Sequence, residues 1–170
     1  MNQKSYNIEL SVEGLEKASE IVKNIQESTM KAKRKLLQAY ADYMLRRMRV
    51  YAPEDTGNLK SSFKKEMIDL NVIEVYADEA IAEYAKYVEF GTGIVGSKHP
   101  HAEASNINWE YDYNHHGEKG WYYMIGNEKH WTKGQVAKEF MYKAYQDLEK
   151  NYYNIAIKIF KEEGLIWTQI

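Results

Sequence analysis

The stretch YVEFGTG, Tyr87 to Gly93, decides how this chain is read. Two glycines flank a threonine directly after an aromatic segment with one carboxylate, so the stretch is a phosphate-binding loop, a catalytic loop or a structural joint. A phosphate cradle needs successive backbone amides at the start of a helix, usually with Lys-Ser or Lys-Thr after the glycines. Here the order is reversed. EAIAEYAKYVEF, Glu79 to Phe90, reads as a short helix with Ile81, Tyr84, Ala85 and Val88 inward, and Gly91 follows as a helix-ending residue. Neither G-K-S/T nor G-x-G-x-x-G occurs anywhere in the chain. The glycines therefore read as a tight turn leaving a helix.

Upstream, YNIELSVEG alternates Ile8, Leu10 and Val12 with polar residues, which predicts a short strand ended by Gly14. From Leu15 to Val50 the apolar residues Leu15, Ala18, Val22, Ile25, Leu36, Tyr40, Met44 and Met48 recur at helical steps, uninterrupted by proline or glycine. The weak helix formers Ser28 and Thr29 mark the place where this long helix could break. Pro53 disfavours helical geometry at Ala52, and Asp55, Gly57 and Asn58 supply turn chemistry. SSFKKEMID and NVIEVYAD then read as two strands around a turn at Asp69, Leu70 and Asn71.

Downstream, Ile94 to His130 reads as an insertion between core elements. Within it Ile107, Trp109, Tyr111 and Tyr113 alternate with Asn108, Glu110, Asp112 and Asn114, and WYYMIG follows the loop HHGEKG. The pattern predicts a β-hairpin with an aromatic face, carrying Trp109, Tyr111 and Tyr113 on one strand and Trp121 and Tyr123 on the other. Such a face needs cover from this domain's helices or from a neighbour, and these five residues are the candidate interface. A last long helix is expected over Gln135 to Glu163, with Val136, Phe140, Ala144, Leu148, Tyr152, Ile155 and Ile159 on one stripe. The expected fold is α+β in a single domain: two long helices packed on a mostly antiparallel sheet, with the inserted aromatic hairpin.

Composition narrows the function. In 170 residues, 44% hydrophobic content is enough for a core, and 28% charged content is ordinary, so wholesale disorder is not expected. Pro53 and Pro100, the two prolines, act as punctuation. A formal net charge of -2 argues against general nucleic-acid affinity. The absence of cysteine removes disulfides, thiolate zinc sites and thiol nucleophiles together, and fits a reducing compartment. No apolar run approaches about 20 residues, so no membrane span is expected. The opening MNQKSYNIEL lacks the apolar core of a signal peptide, and the expectation is a protein made and used in the cytoplasm. Fifteen tyrosines and four tryptophans suit protein–protein contact, since each buries a large area and keeps a polar tip.

Three groups of residues could carry chemistry. His99 and His101 flank Pro100, and His115 and His116 are adjacent with Glu118 nearby; this is not the usual ligand spacing on one element, and exposed loop histidines are expected. Glu89, Glu54 and Asp55 could form a carboxylate pair for acid–base work, but nothing beside them supplies a nucleophile or an oxyanion partner. Asp55 before Thr56 and Gly57 reads as a turn or cap acceptor. KAKRK (31–35) and RRMR (46–49) place seven cations on the first helix, which reads first as a solvated face and second as a surface for an acidic partner or a weak DNA contact.

Three stretches in order, APEDTGNLKSSF, YAKYVEFGTGIVG and WTKGQVAKEFMYKAYQDL, resemble the tail-completion or head–tail joining proteins of long-tailed bacteriophages, typified by gene product ten of HK-type phages. HPHAEASNINWEYDYNHHGEKGWYY resembles the version found in phages and prophages of low-GC Gram-positive bacteria. The PxDTGxLxxS pattern falls on Pro53, Asp55, Thr56, Gly57, Leu59 and Ser62. A second pattern falls on Tyr84, Val88, Glu89, Phe90, Gly91, Thr92 and Gly93. The closing pattern is partly kept at Phe140, Met141 and Ala144, with Glu139 and Lys143 where proline is common.

The resemblance implies a structural virion protein of the neck or tail rather than an enzyme, without cofactor or metal. It further implies a homo-oligomeric ring, perhaps a hexamer, at the head–tail junction of a siphovirus. The partners would be connector and tail-tube or terminator proteins, with no membrane and with DNA met only by passage through a channel. Assembly in the host cytoplasm would precede residence in the virion. VEFGTG then becomes a rigid joint, with Tyr84 and Phe90 packed inward and Glu89 bonded locally to backbone or hydroxyl groups; EDTG becomes a second joint. Two readings of other classes stand beside this one: a small metal-dependent hydrolase using the histidine-rich insertion, and a DNA-binding accessory protein using the basic helix.

Overall fold

The computed structural model describes residues 12–54, 57–112 and 114–165. Helix α1 spans Val12–Tyr51 and helix α6 spans Phe140–Glu162, and the two pack along each other. The strand expected at 8–12 lies mostly outside the described residues; its last residue, Val12, already belongs to α1, and Gly14 sits inside the helix. The helix does not break at Ser28 and Thr29. The Thr29 hydroxyl donates to the Ile25 carbonyl at 2.8 Å, one turn back, so the side chain is satisfied without opening the ladder. Pro53 stops the helix as expected, since α1 ends at Tyr51.

The short helix α2, Asn58–Ser61, leads into an antiparallel hairpin of β1, Phe63–Met67, and β2, Ile73–Ala77, paired Phe63 to Ala77 and Met67 to Ile73. The turn is closed by Ile68 N–H donating to Val72 O at 3.0 Å and by Asn71 N–H donating to Asp69 Oδ1 at 2.5 Å. The helix expected over Glu79 to Phe90 is two: α3, Glu79–Ala82, and α4, Ala85–Phe90. Asp78 caps α3 by accepting from Ala80 N–H at 2.9 Å. The break at Glu83 and Tyr84 rotates the inward face, so Ala82, Ala85 and Val88 are buried while Ile81 and Tyr84 are exposed.

Helix α5, Gly93–Lys98, follows, then turns, a 3-10 turn at Gly117–Lys119, and a second antiparallel hairpin. Its strands are β3, Trp121–Ile125, and β4, Glu128–Thr132. Among the described residues the strand expected over 107–113 does not form: Asn108 leaves extended geometry with a left-handed φ of 53°, and the Asp112 carboxylate accepts from His116 and Gly117 N–H and closes a turn. The hairpin therefore pairs 121–125 with 128–132 rather than with 107–113. Helix α6 also begins later than Gln135. Gly134 and Gln135 form the short strand β5, which bridges to Gly93 and Thr92, and Val136 is exposed ahead of the helix. Tyr152, placed on the inward stripe by periodicity, is exposed.

The fold is thus α+β, with two long helices and two separate antiparallel hairpins. The core gathers Leu45 and Met48 of α1, Ala52 just beyond its end, Leu59, Phe63, Ala82, Ala85 and Val88, and Phe140 and Ala144 of α6. Phe63 and Phe140 stack with ring centroids 5.2 Å apart. Alongside this core, Arg47 Nε and the Tyr51 hydroxyl each donate to Asp147 Oδ2 at 2.6 Å, which pins α1 to α6.

Candidate functional site

The GTG segment leaves α4 and is crossed by two other stretches of chain, and the crossing centres on Glu89. The residue is 3% exposed. Oε2 accepts from Met141 N–H at 2.9 Å and Oε1 accepts from Tyr142 N–H at 3.0 Å. These are first-turn donors of α6, which have no partner within their own helix. The negative side chain also sits at the positive end of the α6 dipole. Glu89 thus caps a helix that starts about fifty residues further along the chain.

His101 is the third partner. It is buried, against the expectation of exposed loop histidines, with Nε2 3.2 Å from Glu89 Oε1. Its Nδ1 accepts from Glu103 N–H at 3.0 Å, so the ring proton sits on Nε2 and is donated to the carboxylate. The ring packs between Phe90, at 4.5 Å, and Tyr142, at 5.2 Å. His99 and His115 are exposed; His116 is half-buried and stacks on Trp121 at 4.6 Å. The histidines do not converge, and among the described residues no group of three or more His, Asp or Glu side chains could hold a metal.

Around this pair the backbone is tied on every side. Lys138 N–H donates to Val88 O at 2.9 Å, Glu139 N–H to Glu89 O at 3.2 Å, and the Gln135 side-chain amide to Tyr87 O at 3.0 Å. The last carbonyls of α4 therefore hold the entry to α6. Gly91 has φ 82° and ψ 169°, a region closed to other residues, and a Cβ there would lie 2.8 Å from Ala137 N and Gln135 O. At the entry itself Glu139 is left-handed, with φ 55° and ψ 37°. Proline cannot adopt that φ, so the residue that departs from the family pattern goes with a different local turn.

The expected interface residues divide. Trp109 stacks on Phe90 at 5.0 Å and donates its indole N–H to Gly91 O at 3.1 Å. The Tyr111 hydroxyl accepts from His101 N–H at 2.8 Å, and the Tyr111 carbonyl accepts from Gly93 N–H at 2.5 Å. Both aromatics are engaged by their own chain at the joint. Tyr113 lies outside the described residues. Trp121, half-buried, and Tyr123, exposed, belong to β3 and share no sheet face with 109 or 111.

The other motif positions fall into place around the core. Leu59 and Ser62 are buried, with the Ser62 hydroxyl donating to Leu59 O at 2.7 Å. Gly57, at φ 82°, starts α2, and Pro53 is exposed; Asp55 and Thr56 lie outside the described residues. Val88, Phe140 and Ala144 are buried, Met141 packs against them, Phe90 is half-buried as expected of an inward ring, and Thr92 bridges to Gln135; Tyr84 is the exception, being exposed. Glu54 does not approach Glu89: it is exposed and pairs with Lys60 at 2.8 Å, which draws its pKa down. The basic face of α1 is partly neutralised, because Glu163 pairs with Lys31 at 2.9 Å and with Lys35.

Chemically, the joint holds chain segments together. Among the described residues every buried side-chain polar atom has a hydrogen-bond partner, so none is left waiting for a ligand. Sequence periodicity had no means of finding His101 or the Met141 and Tyr142 amides, since the contacts with Glu89 span 12, 52 and 53 positions.

Residues 15–91 match the family described as "Bacteriophage HK97-gp10, putative tail-component". Over these residues the chain is similar to a phage tail-component family. The match runs from α1 to Gly91 and includes both the α2 entry and Glu89. No curated protein and no solved structure matches the chain. The family is one of tail components, which supports a structural role in the virion and points away from catalysis. Among the described residues no helix is long and apolar enough to cross a membrane.

Proposed function

We propose that the protein is a structural component of the head–tail junction of a long-tailed phage, where copies of it form a ring. The observation that carries this reading is where the family signature ends. It closes at Gly91, on a joint whose carboxylate is buried and whose partners are helix amides and a packed histidine. A ring subunit needs stiff connections that keep its contact surfaces in register, and closed rings are built from repeated copies of one contact. The fully bonded Glu89 joint serves that need. The ring would meet connector protein on one side and tail-tube or terminator protein on the other, with DNA passing through its channel. It would assemble in the host cytoplasm and remain in the virion.

Deleting the gene from an inducible phage tests the reading. The expected result is DNA-filled heads and free tails accumulating unjoined, restored by the gene in trans, with antibody against the protein labelling the neck. Normal particles from the deletion, or label along the whole tail tube, would overturn it.

A further inference from the structure

The His101 ring has both nitrogens engaged inside the joint. Nε2–H donates to Glu89 Oε1 at 3.2 Å, and Nδ1 accepts from Glu103 N–H at 3.0 Å. The second bond is the histidine counterpart of an Asx turn, in which a side-chain acceptor takes the N–H two residues on. It fastens a turn over 101–109 to the joint. Within that turn Ala104 N–H donates to His101 O at 3.0 Å and Trp109 N–H to Ala104 O at 2.8 Å, and the Trp109 indole N–H reaches Gly91 O at 3.1 Å. Ala104 is buried, while residues 105–108 are exposed.

A proton added to this arrangement has one place to go. The groups bonded to the Glu89 carboxylate are N–H donors, from Met141, Tyr142 and His101, so none of them accepts a proton placed there. Nδ1 is the acceptor of the pair, and histidine is the side chain that ordinarily changes charge between about pH 5 and pH 8. Once protonated, Nδ1–H faces Glu103 N–H, donor against donor, on a buried residue. The Nε2 bond changes the other way and becomes a charge-assisted bond between imidazolium and carboxylate. The other groups against His101 are the Phe90 ring of α4, the Tyr142 ring of α6 and the Tyr111 hydroxyl, which accepts the His101 N–H. Glu89 is the charged group bonded to the ring. The Glu103 carboxylate is held by Asn106, and Glu139 at the α6 entry pairs with Lys143 at 3.4 Å.

We propose that His101 is a proton-operated latch in the joint. Neutral, it fastens the 101–109 turn through Nδ1. Protonated, it keeps Glu89 and releases Glu103 N–H, so the turn loosens while α6 stays capped. The fastened turn needs the bare Nδ1 and the released turn does not, so the released state binds the extra proton and gains population as pH falls through the titration of the ring. The freed amide has water within reach, because Glu103 is half-buried and borders the exposed 105–108 stretch. The latch changes how that stretch is presented without opening the contact between Glu89 and the first turn of α6.

Nitrogen NMR of the labelled histidines, together with amide exchange on the full chain between about pH 8 and pH 5, tests the latch. The His101 ring should show its proton on Nε2 at the high end and become imidazolium at the low end. Over the same titration the protection factor of the Glu103 amide, which is already corrected for intrinsic exchange, should fall about three- to tenfold, the size of one backbone hydrogen bond. The Met141 and Tyr142 amides should keep their protection. Two variants hold the latch in one position. His101→Asn keeps an acceptor for the N–H two residues on and should hold Glu103 protected at every pH. His101→Gln keeps a donor for Glu89 without that acceptor and should leave Glu103 unprotected at every pH. The titration of the parent decides the matter even where a variant does not fold. Unchanged Glu103 protection across the His101 titration, or a ring that does not titrate before the whole protein unfolds, would overturn the latch. So would a neutral ring with its proton on Nδ1, or loss of Met141 and Tyr142 protection in step with Glu103. A pH step in Glu103 protection that persists in His101→Asn would assign the step to another group and overturn it as well.

Discussion

Replacing Glu89 by glutamine removes one acceptor and the charge while leaving the side-chain volume nearly unchanged. The carboxylate serves Met141 N–H through Oε2, and Tyr142 N–H and the His101 ring through Oε1. With its oxygen kept beside Tyr142 and His101, the amide turns its NH2 toward Met141 N–H, donor against donor. Flipped, it opposes two donors instead of one. At least one buried N–H is stranded, at about 1–3 kcal/mol. Loss of the negative charge at the α6 N-terminus adds about 0.3–1 kcal/mol. The expected destabilisation is about 1–4 kcal/mol, which for a domain of this size lowers Tm by roughly 3–15 °C. Differential scanning calorimetry reads the shift, and hydrogen exchange should show the Met141 and Tyr142 amides opening ahead of the rest of α6. Glu79→Gln is the control: that carboxylate is exposed, meets Lys86 at 3.5 Å, and its replacement should leave Tm unchanged. If Glu89→Gln melted within about 2 °C of the parent, the carboxylate would not be what caps α6.

Gly91→Ala and Gly57→Ala separate strain from crowding, since both glycines have φ 82° but only Gly91 faces backbone atoms at 2.8 Å, while Gly57 has nothing within 4 Å of its would-be Cβ. The loss at Gly57 should be about 1–2 kcal/mol and that at Gly91 clearly larger; equal losses in chemical denaturation would contradict the packing at the joint. Asp147 sets an acid limit: the Tyr51 hydroxyl first, and Arg47 second, hold its pKa below the usual carboxylate range. A depressed pKa contributes stability that is complete above the unfolded value of about 3.9 and is lost as pH falls through the lower folded value. Tm should therefore be insensitive to this group between pH 5 and pH 7, fall below about pH 4, and fall less steeply there in Asp147→Asn; an identical acid limb in that variant would rule the contribution out.

Local signals were legible where the chain obeys one period at a time. The run from Leu15 to Val50, the hairpin around Asp69 to Asn71, and the glycine exit after Phe90 all formed as the sequence predicts. The failures lie where side chains act singly. Trp109 and Tyr111 alternate like a strand, yet each is placed by one distant partner, Gly91 O and His101 N–H, so the period carried no strand. Asp78 was an available signal for the start of α3, because a helix-capping acceptor stands directly before Glu79. No local signal marks Glu139, which is left-handed and whose N–H donates to the distant Glu89 carbonyl.

The family signature stops at Gly91, which raises the question of whether the chain beyond it is a separable addition. Three ties say that α6 is not. Phe140 and Ala144 are fully buried in the same core as Leu45, Met48 and Phe63. Asp147 receives Arg47 and Tyr51 from α1. Glu89, inside the signature, caps α6, outside it. A chain ending at Lys138 would expose the faces of α1 and β1 that α6 covers and leave the Glu89 carboxylate without its two amide donors. Removing Phe140 alone by truncation to alanine is expected to cost about 3–5 kcal/mol, a large part of the roughly 5–15 kcal/mol that holds a domain folded, and deleting the whole helix removes far more. The shortened protein should show no cooperative thermal transition and should bind dyes that report exposed apolar surface. A sharp melt with native near-ultraviolet circular dichroism from residues 1–138 would mean that the signature folds by itself and that α6 merely docks upon it.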